Sequence, residues 1–575
     1  MRDGASDGYQ RGTPAHEGSV PRHVLSVVLE DYCHVGPVSR FVTPDYWHRF
    51  ESRVQRNSEL TLDLLDEFGV KATFFVLGWI GEHQPEVVAE VARRGHEIAS
   101  KGYFHRSIRE LTPKLFREDV RRSRHALEAA ANVPVRGFRM PRGGFGKRDL
   151  WALDILAEEG FEYDSSIRPS GIRFATQPFR RFIHRHEHAG RGIWEIPLST
   201  WKLGPLTVPI SGGNSLRQLP HAFTRHSTER WVKQQTSPLV FYFHIWELDP
   251  AQPRISAVSR LDRVRQYRNL EAMEERIRHL LREYRFGTIG RYLGLPPAAL
   301  GIDREPQPAA LEPKMAVGMP APAPDQQRMP ISVLVPCFNE EATLGYLANT
   351  LDSFARSVRD RYEVEFVFVD DGSSDRTWQR LQQLFGGRPD CRIVQHPQNK
   401  GIAAATLTGI RHSRSEIVCA IDADGTFDPH QLKEMIPMLK PDVDAVTASC
   451  FHENGQVVNV PRWRMALSRG ASALYRVLLH NKLSHYTSCF RVYRKSAVAT
   501  LILRNERYVG ITEILSLLDL RGSKIVEYPA VLEVRLLGHS KMNIVKTIGG
   551  HLKLIGYLAS ERLSTEFSSR PIPPV

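Results

Sequence analysis

Residues 331–341 read ISVLVPCFNEE, a short apolar strand that runs straight into the polar turn Cys337-Phe338-Asn339-Glu340-Glu341. The pattern recurs three times further along the chain. EVEFVFVDD (363–371) leads into Gly372-Ser373-Ser374-Asp375, CRIVQH (391–396) is a third apolar run, and EIVCAIDAD (416–424) ends in Asp422-Ala423-Asp424. Short buried strands, each followed by a polar or helical stretch, predict an open, doubly wound α/β sheet that binds ligands where its strands end. Carboxylates at i and i+2 on a strand point to opposite faces, so Asp422 and Asp424 must sit where the strand breaks into a turn. There both can reach one divalent cation and its diphosphate. An isolated D-x-D is common in surface turns; its weight here comes from the company it keeps.

The ordered series P-x-F-N-E-E, V-D-D-G-S-S-D, N-K-G and D-A-D resembles the family 2 glycosyltransferases of the GT-A fold, a Rossmann-like nucleotide-sugar-binding domain, from about Pro330 to Ser560. The resemblance implies that Pro336, Asn339, Glu341 and Asp371 hold the nucleoside, while Asp422 and Asp424 hold Mg²⁺ or Mn²⁺ on the diphosphate. Asp424 is also the expected catalytic carboxylate. The three strand-end carboxylates Asp371, Asp422 and Asp424 are expected to converge on that cation. Thr487-Ser488-Cys489-Phe490-Arg491 and Arg535-Leu536-Leu537-Gly538-His539-Ser540-Lys541-Met542 are similar to motifs of the polyprenyl-phosphate glycosyltransferases related to dolichyl-phosphate mannosyltransferase. Arg535 and Lys541 are residue types suited to a diphosphate or lipid phosphate. Gly425 after the D-A-D and Cys489 in place of a glycine depart from that pattern.

The implied reaction is inverting transfer of a sugar from a nucleotide-sugar donor to a polyprenyl-phosphate or glycan acceptor. A phosphate monoester with a second pKa of about 6 is largely ionised at neutral pH and needs no strong base. Glu513 is the one carboxylate to nominate if a base were required, against the plainer reading of a helix-surface glutamate. Pro461-Arg462-Trp463-Arg464 is not the Q-x-x-R-W of processive synthases, which disfavours polymerisation. Residues 542–563 place Ile544, Val545, Ile548, Leu552, Ile555 and Leu558 near one helical face bordered by lysines, fitting either an anionic membrane surface or the domain's own core.

In the first half, strand-like runs (Val24 to Leu29, Ala72 to Leu77, Leu239 to Phe243) alternate with helical stretches, the rhythm of a parallel barrel or layered fold. The stretches Leu29-Glu30-Asp31, Gly95 to His105, Gly137-Phe138-Arg139-Met140-Pro141, Tyr163-Asp164-Ser165-Ser166 and Phe241-Tyr242-Phe243-His244 look like a polysaccharide deacetylase of the NodB-homology type, closest to the exosortase-associated variety. The implied fold is a distorted (β/α) barrel. Implied roles are Glu30 as base, His244 as acid, Arg139 and Asp164 as orienting groups, and Asp31 and His105 as ligands of Zn²⁺ or another divalent metal. The third ligand should be a histidine four residues before His105, where this chain has Lys101. A protonated ammonium has no lone pair and repels a dication, so metal affinity should fall sharply. Val28 likewise replaces an acidic residue.

Composition frames both readings. The chain has 575 residues, Lys plus Arg 77 against Asp plus Glu 64, and a formal charge of +13 that suits polyanionic ligands. No nucleic-acid recognition module is visible. Six dispersed cysteines without a C-x-x-C exclude a disulfide scaffold and favour a reducing setting. No run of about 18 apolar residues occurs, and the first twenty residues lack the apolar core of a secretory signal. A cytoplasmic protein, peripheral at most, is expected. The expected organisation is a tail (1–22), a deacetylase-like domain (23–295), a Pro/Ala-rich linker (296–329), a transferase domain (330–563) and a tail (564–575). A fusion of this kind raises local concentration between consecutive steps. The rival is an inactive deacetylase-like and transferase-like scaffold for glycan assembly or export.

Overall fold

A computed structural model describes residues 21–171, 174–204, 206–296, 328–538 and 544–568. These form two compact units. Lys541, almost all of the expected tail 1–22 and linker 296–329, and the end of the second tail lie outside the described residues.

The first unit is built on β1 (His23–Leu29), β2 (Thr73–Val76), β3 (Glu97–Ser100), β4 (Gly137–Phe138), β5 (Tyr163–Asp164), β6 (His184–His188), β7 (Arg191–Glu195), the hairpin β8 (Thr200–Leu203) and β9 (Leu206–Pro209), β10 (Val240–His244) and β11 (Phe286–Gly287). The main sheet runs β10-β1-β2-β3-β4-β5-β7-β6, with β11 also on β1. Every pairing is parallel except β6 with β7. All of β1 is buried, His23 and Ser26 included, as a strand covered on both faces requires. Val24, Phe75, Ala99, Tyr163 and Val240 come from five different strands yet share one core cluster, so the sheet curls around them. No ladder joins β6 to β10 among the described residues, and this gap is the distortion of the (β/α) barrel. Between β3 and β4 the helix Pro113–Ala131 starts at Thr112, whose side chain accepts from Leu115 N, and stops at Asn132 in the left-handed region.

The second unit carries β12 (Met329–Cys337), β13 (Tyr362–Asp370), β14 (Cys391–Gln395), β15 (Ile417–Ala420), β16 (Ala445–Ser449), β17 (Gln456–Val458), β18 (Arg491–Arg494), β19 (Ile525–Pro529) and β20 (Val531–Glu533). Its seven-stranded sheet has the order β14-β13-β12-β15-β18-β16-β19. Alternation along each strand loads both faces. Val333, Val335, Phe366 and Phe368 pack against helices Leu344–Val358 and Thr377–Phe385. Leu334, Val367 and Val369 pack against helices Ile402–His412 and Tyr508–Leu520. Each such side chain buried contributes roughly 1.5–3 kcal/mol, so the sandwich holds the strand ends rigidly.

Candidate functional site

β12, β13 and β15 run parallel, with Cys337 beside Asp370 and Leu334 beside Ala420. The polar residues that follow each strand therefore emerge at one end of the sheet. Asn339 has φ 54°, a left-handed conformation that asparagine tolerates. Its Oδ1 accepts from Ser374 N at 2.7 Å and Asp375 N at 3.3 Å, and its own N–H donates to Ser373 Oγ at 2.9 Å. Glu341 completes the clasp, its Oε2 accepting from Arg376 N at 3.4 Å. Gly372 has φ 67°, and a Cβ there would meet the Gln398–Asn399 backbone at about 2.5 Å, which fixes the glycine of D-D-G-S-S-D.

Asp371 does not join the other two carboxylates around a cation as expected. Its Oδ1 faces His396 Nδ1 at 2.7 Å and accepts from Lys400 N at 2.9 Å, while Oδ2 accepts from Asn399 Nδ2 at 3.0 Å and Gly401 N at 2.8 Å. It is an anchor for the N-K-G turn. Among the described residues no three His, Cys, Asp or Glu side chains gather to hold a metal ion.

Asp422 and Asp424 do act on one another. β18 runs antiparallel to β15 with Ala420 opposite Arg491; two residues further on, that register sets Asp422 against Cys489, and their side chains are hydrogen-bonded. Burial first, then the neighbouring Asp424, push the Asp422 carboxyl up to about 7, against the pull of Arg535. Asp424 Oδ1 accepts from Thr426 N at 3.0 Å and Thr426 Oγ1 at 2.8 Å; its Oδ2 is paired with Arg535. Arg535 Nη1 also lies 3.6 Å from Glu340 Oε1. Gly425, the departure after the D-A-D, has φ 69°, the backbone this turn needs.

The pair fits a dication by the chemistry of its donors. Two carboxylates are held close enough to raise one pKa, a guanidinium supplies the compensating charge, and a Mg²⁺-type ion needs only one or two carboxylates when phosphate and water complete its shell. Glu513 is no surface residue: it is 1% exposed, and its carboxylate accepts from Arg504 N, Asn505 N and Asn505 Nδ2 at 2.8–2.9 Å. Its carboxylate is thus engaged as a brace for the Arg504–Asn505 backbone. Glu340, His396 and Tyr508 were missed in the sequence. Tyr508, whose hydroxyl is pushed up by burial and then by Cys489, Asp422 and Asp424, starts a helix without a motif of its own; Glu340 stands between two residues that were named.

In the first unit Glu30 is fully buried and ringed by three bases: Lys101 Nζ at 3.0 Å, His105 Nε2 at 3.3 Å and His244 Nδ1 at 2.7 Å. Despite burial, Lys101 and then His105 hold its carboxyl well below the usual range. Burial pulls Lys101 down to about 8, with Glu30 opposing. Asp31 is turned to the backbone, its Oδ1 accepting from Tyr32 N at 2.9 Å and its Oδ2 from Arg53 N at 2.8 Å. Arg139 donates to Ser165 O and Oγ, and Asp164 accepts from Ser166 N and Oγ, so these two position the Ser165–Ser166 turn rather than Glu30. The expected metal set of Asp31 and His105 therefore does not fit a dication: the ammonium of Lys101 takes up the Glu30 charge, and Asp31 is spent on N–H groups.

Three family models match the chain: polysaccharide deacetylase over residues 45–163, a domain of unknown function over 165–294, and glycosyl transferase family 2 over 332–502. Similar proteins include a dolichol-phosphate mannosyltransferase of Pyrococcus furiosus, 30% identical over 229 residues, covering 40% of this chain and 63% of that protein. A polyprenol monophosphomannose synthase of Mycolicibacterium smegmatis is 28% identical over 219 residues, covering 37% of this chain and 80% of that one. The chain thus spans just under two thirds of the length of the first of these relatives. Among solved structures, glucosyl-3-phosphoglycerate synthase from Mycobacterium tuberculosis with Mn²⁺ and UDP-glucose aligns at 20% identity and TM-score 0.31, over 41% of this chain and 79% of that one. The chain thus joins a segment similar to polysaccharide deacetylases to a segment similar to family 2 glycosyltransferases, polyprenyl-phosphate mannosyltransferases among them.

Proposed function

We propose that the second unit transfers a sugar, with inversion, from a nucleotide-sugar to a polyprenyl phosphate. The observation that carries this is the meeting of Asp422, Asp424 and Arg535 at the sheet end where the Asn339–Asp375 clasp also lies. Asp422 and Asp424 would hold Mg²⁺ or Mn²⁺, which neutralises charge on the departing nucleoside diphosphate. Pro336, Asn339 and Glu341 shape the nucleoside end of the cleft, and Asp371 keeps the N-K-G turn beside it. Arg535, released from Asp424, brings a planar fork to phosphate oxygens. Lys541 lies outside the described residues; its charge suits the same phosphates. The acceptor phosphate is its own nucleophile, in keeping with Glu513 being engaged elsewhere.

A lipid acceptor also agrees with the surface. Helices Arg462–Leu478 and Ile544–Ser568 pack together, joined by Tyr475 Oη and His551 Nδ1 at 2.9 Å. They expose Trp463, Leu467, Leu474 and Val477 on one and Val545, Ile548 and Leu552 on the other, while Leu554 and Leu558 turn into the core. Arg462, Arg464, Arg476 and Lys553 are exposed alongside, a combination that favours peripheral contact with anionic lipid at the cytoplasmic face. No helix among the described residues is long and apolar enough to cross a membrane. For the first unit, the misfit to a metal favours sugar binding over metal-dependent deacetylation. Incubating the whole chain and Mn²⁺ with a panel of nucleotide-sugars and polyprenyl phosphate tests the main reading: a lipid-linked sugar product is expected, and its absence across the panel counts against it.

A further inference from the structure

Arg491 opens β18 just past Cys489 and has no exposed surface. Its guanidinium donates only to neutral acceptors: Nε to Thr447 Oγ1 at 3.3 Å, Nη1 to Tyr493 Oη at 3.0 Å and Ile511 O at 2.6 Å, and Nη2 to Tyr486 O at 2.7 Å. No carboxylate lies within ion-pairing distance of it among the described residues. Burying a charge without a partner is costly, and such violations are expected at functional sites. Its place compounds the cost. Ile511 lies in the first turn of helix Tyr508–Leu520, which carries no acidic residue there, so the guanidinium adds positive charge to a helix end that is already partially positive.

The carboxylate pair faces this charge. The register that sets Arg491 opposite Ala420 puts Asp422 about 7 Å further along the strand pair. Cys489 stands beside both: burial and then Asp422 push its thiol well up, and Arg491 pulls the other way. The Tyr508 hydroxyl is likewise pushed up by burial, Cys489, Asp422 and Asp424 and pulled down by Arg491. Two cations therefore serve one carboxylate pair, and they differ in kind. Arg535 reaches Asp424 by an ion pair that a ligand can displace, whereas Arg491 is locked in place by four hydrogen bonds.

We propose, resting on the transferase reading of the second unit, that Arg491 is the fixed electrostatic support of this site, a positioning residue that holds positive potential behind Asp422 and Asp424 for the departing nucleoside diphosphate. A nucleotide-sugar carries two negative charges, which one Mn²⁺ balances. The bond from the anomeric carbon to the diphosphate breaks with its electron pair on the diphosphate oxygen, while an acceptor phosphate oxygen forms the new bond to that carbon. The leaving group thus gains a charge that the cation alone does not balance. A preorganised field acts on charge that develops in the transition state, so Arg491 governs kcat and leaves the donor KM nearly unchanged. Toward bare Mn²⁺ its sign is unfavourable.

Variants of the full chain separate charge from packing. Arg491→Gln should lower kcat for transfer to polyprenyl phosphate by about 10-fold or more, with the donor KM within about threefold. It should also bind Mn²⁺ without nucleotide, read by electron paramagnetic resonance, about 3-fold or more tighter than wild type. Arg491→Lys, which keeps the charge, should recover most of kcat and bind Mn²⁺ as wild type does. Because loss of a buried guanidinium could unfold the unit, Thr447→Asp gives a second reading with Arg491 in place: a carboxylate beside Nε cancels the charge, so kcat should fall and Mn²⁺ binding tighten while thermal stability holds. Failure of Thr447→Asp to fold, wild-type kcat and Mn²⁺ affinity in that variant, or Mn²⁺ binding weakened alike in Arg491→Gln and Arg491→Lys overturns the proposal. Absence of transfer by wild type sinks the transferase reading and Arg491's role with it, whereas transfer that Arg491→Gln leaves intact sinks Arg491's role alone.

Discussion

Arg535 forms an ion pair with Asp424, the second carboxylate of the Asp422-Ala423-Asp424 turn, from a position more than a hundred residues further along the chain. On the proposed function, a metal–diphosphate complex held by Asp424 would displace the guanidinium, so donor binding would release Arg535. Arg535→Gln keeps the length and hydrogen-bonding capacity of the side chain but removes its charge. Sugar transfer should fall by about 10²-fold, as for loss of one preorganised donor to a developing anion, while Mn²⁺ affinity without nucleotide should not decrease. A variant with wild-type kcat would show that Arg535 only balances charge in the ligand-free chain.

Asn339→Ala should cost about 1–3 kcal/mol, because Ala at φ 54° is strained and the N–H groups of Ser374 and Asp375 lose their acceptor. Chemical denaturation measures this. Asn339→Gly, which relieves the backbone but not the lost acceptor, should recover only part; full recovery would assign the whole effect to backbone strain.

Much of this was legible in the residues. Alternating apolar strands ending in polar turns give the doubly wound sheet, and the order of the turns places Asn339, Asp371 and Asp422 at one end of it. What the pattern does not carry is which acceptor each carboxylate serves. Asp371 and Asp422 both follow a strand, yet the N–H groups of Lys400 and Gly401 close on Asp371 and leave Asp422 to Asp424 and Cys489. That choice depends on the path of a loop some thirty residues away. Lys101 was legible as a lost ligand; the seat of Arg139 against the Phe75 and Tyr242 rings and Ser165 was not, since it depends on residues far apart in the chain.

Glu513→Ala removes the acceptor of two backbone N–H groups and should lower stability by about 1–3 kcal/mol. Assayed well below its melting temperature, the variant should keep kcat within about threefold, where a general base would be worth 10²–10⁴. A drop of that larger size with stability unchanged would restore Glu513 as a base.

Acid should loosen the first unit before the second. Burial, first among the causes in each case, lowers His23 and His184 to about 4 and His34 and His96 to about 3. Each is neutral in the fold and takes up a proton on unfolding once pH drops below about 6.5, so stability declines on acidification by up to about 1.4 kcal/mol per pH unit per histidine. Among the described residues of the second unit, one histidine is lowered as far, His485. Hydrogen exchange corrected for intrinsic rate should show protection in β1 and β3 falling between pH 7 and pH 5 more than in β12 and β13. Equal losses would contradict the assignment.

The central claim is tested most directly by following label from a nucleotide-sugar into the organic phase with polyprenyl phosphate and Mn²⁺, wild type beside Asp424→Asn. Label should enter the lipid with wild type and fall by about 10²–10³-fold in the variant, since the carboxylate proposed to hold the cation is gone. Equal transfer by the two proteins would contradict the account at its root.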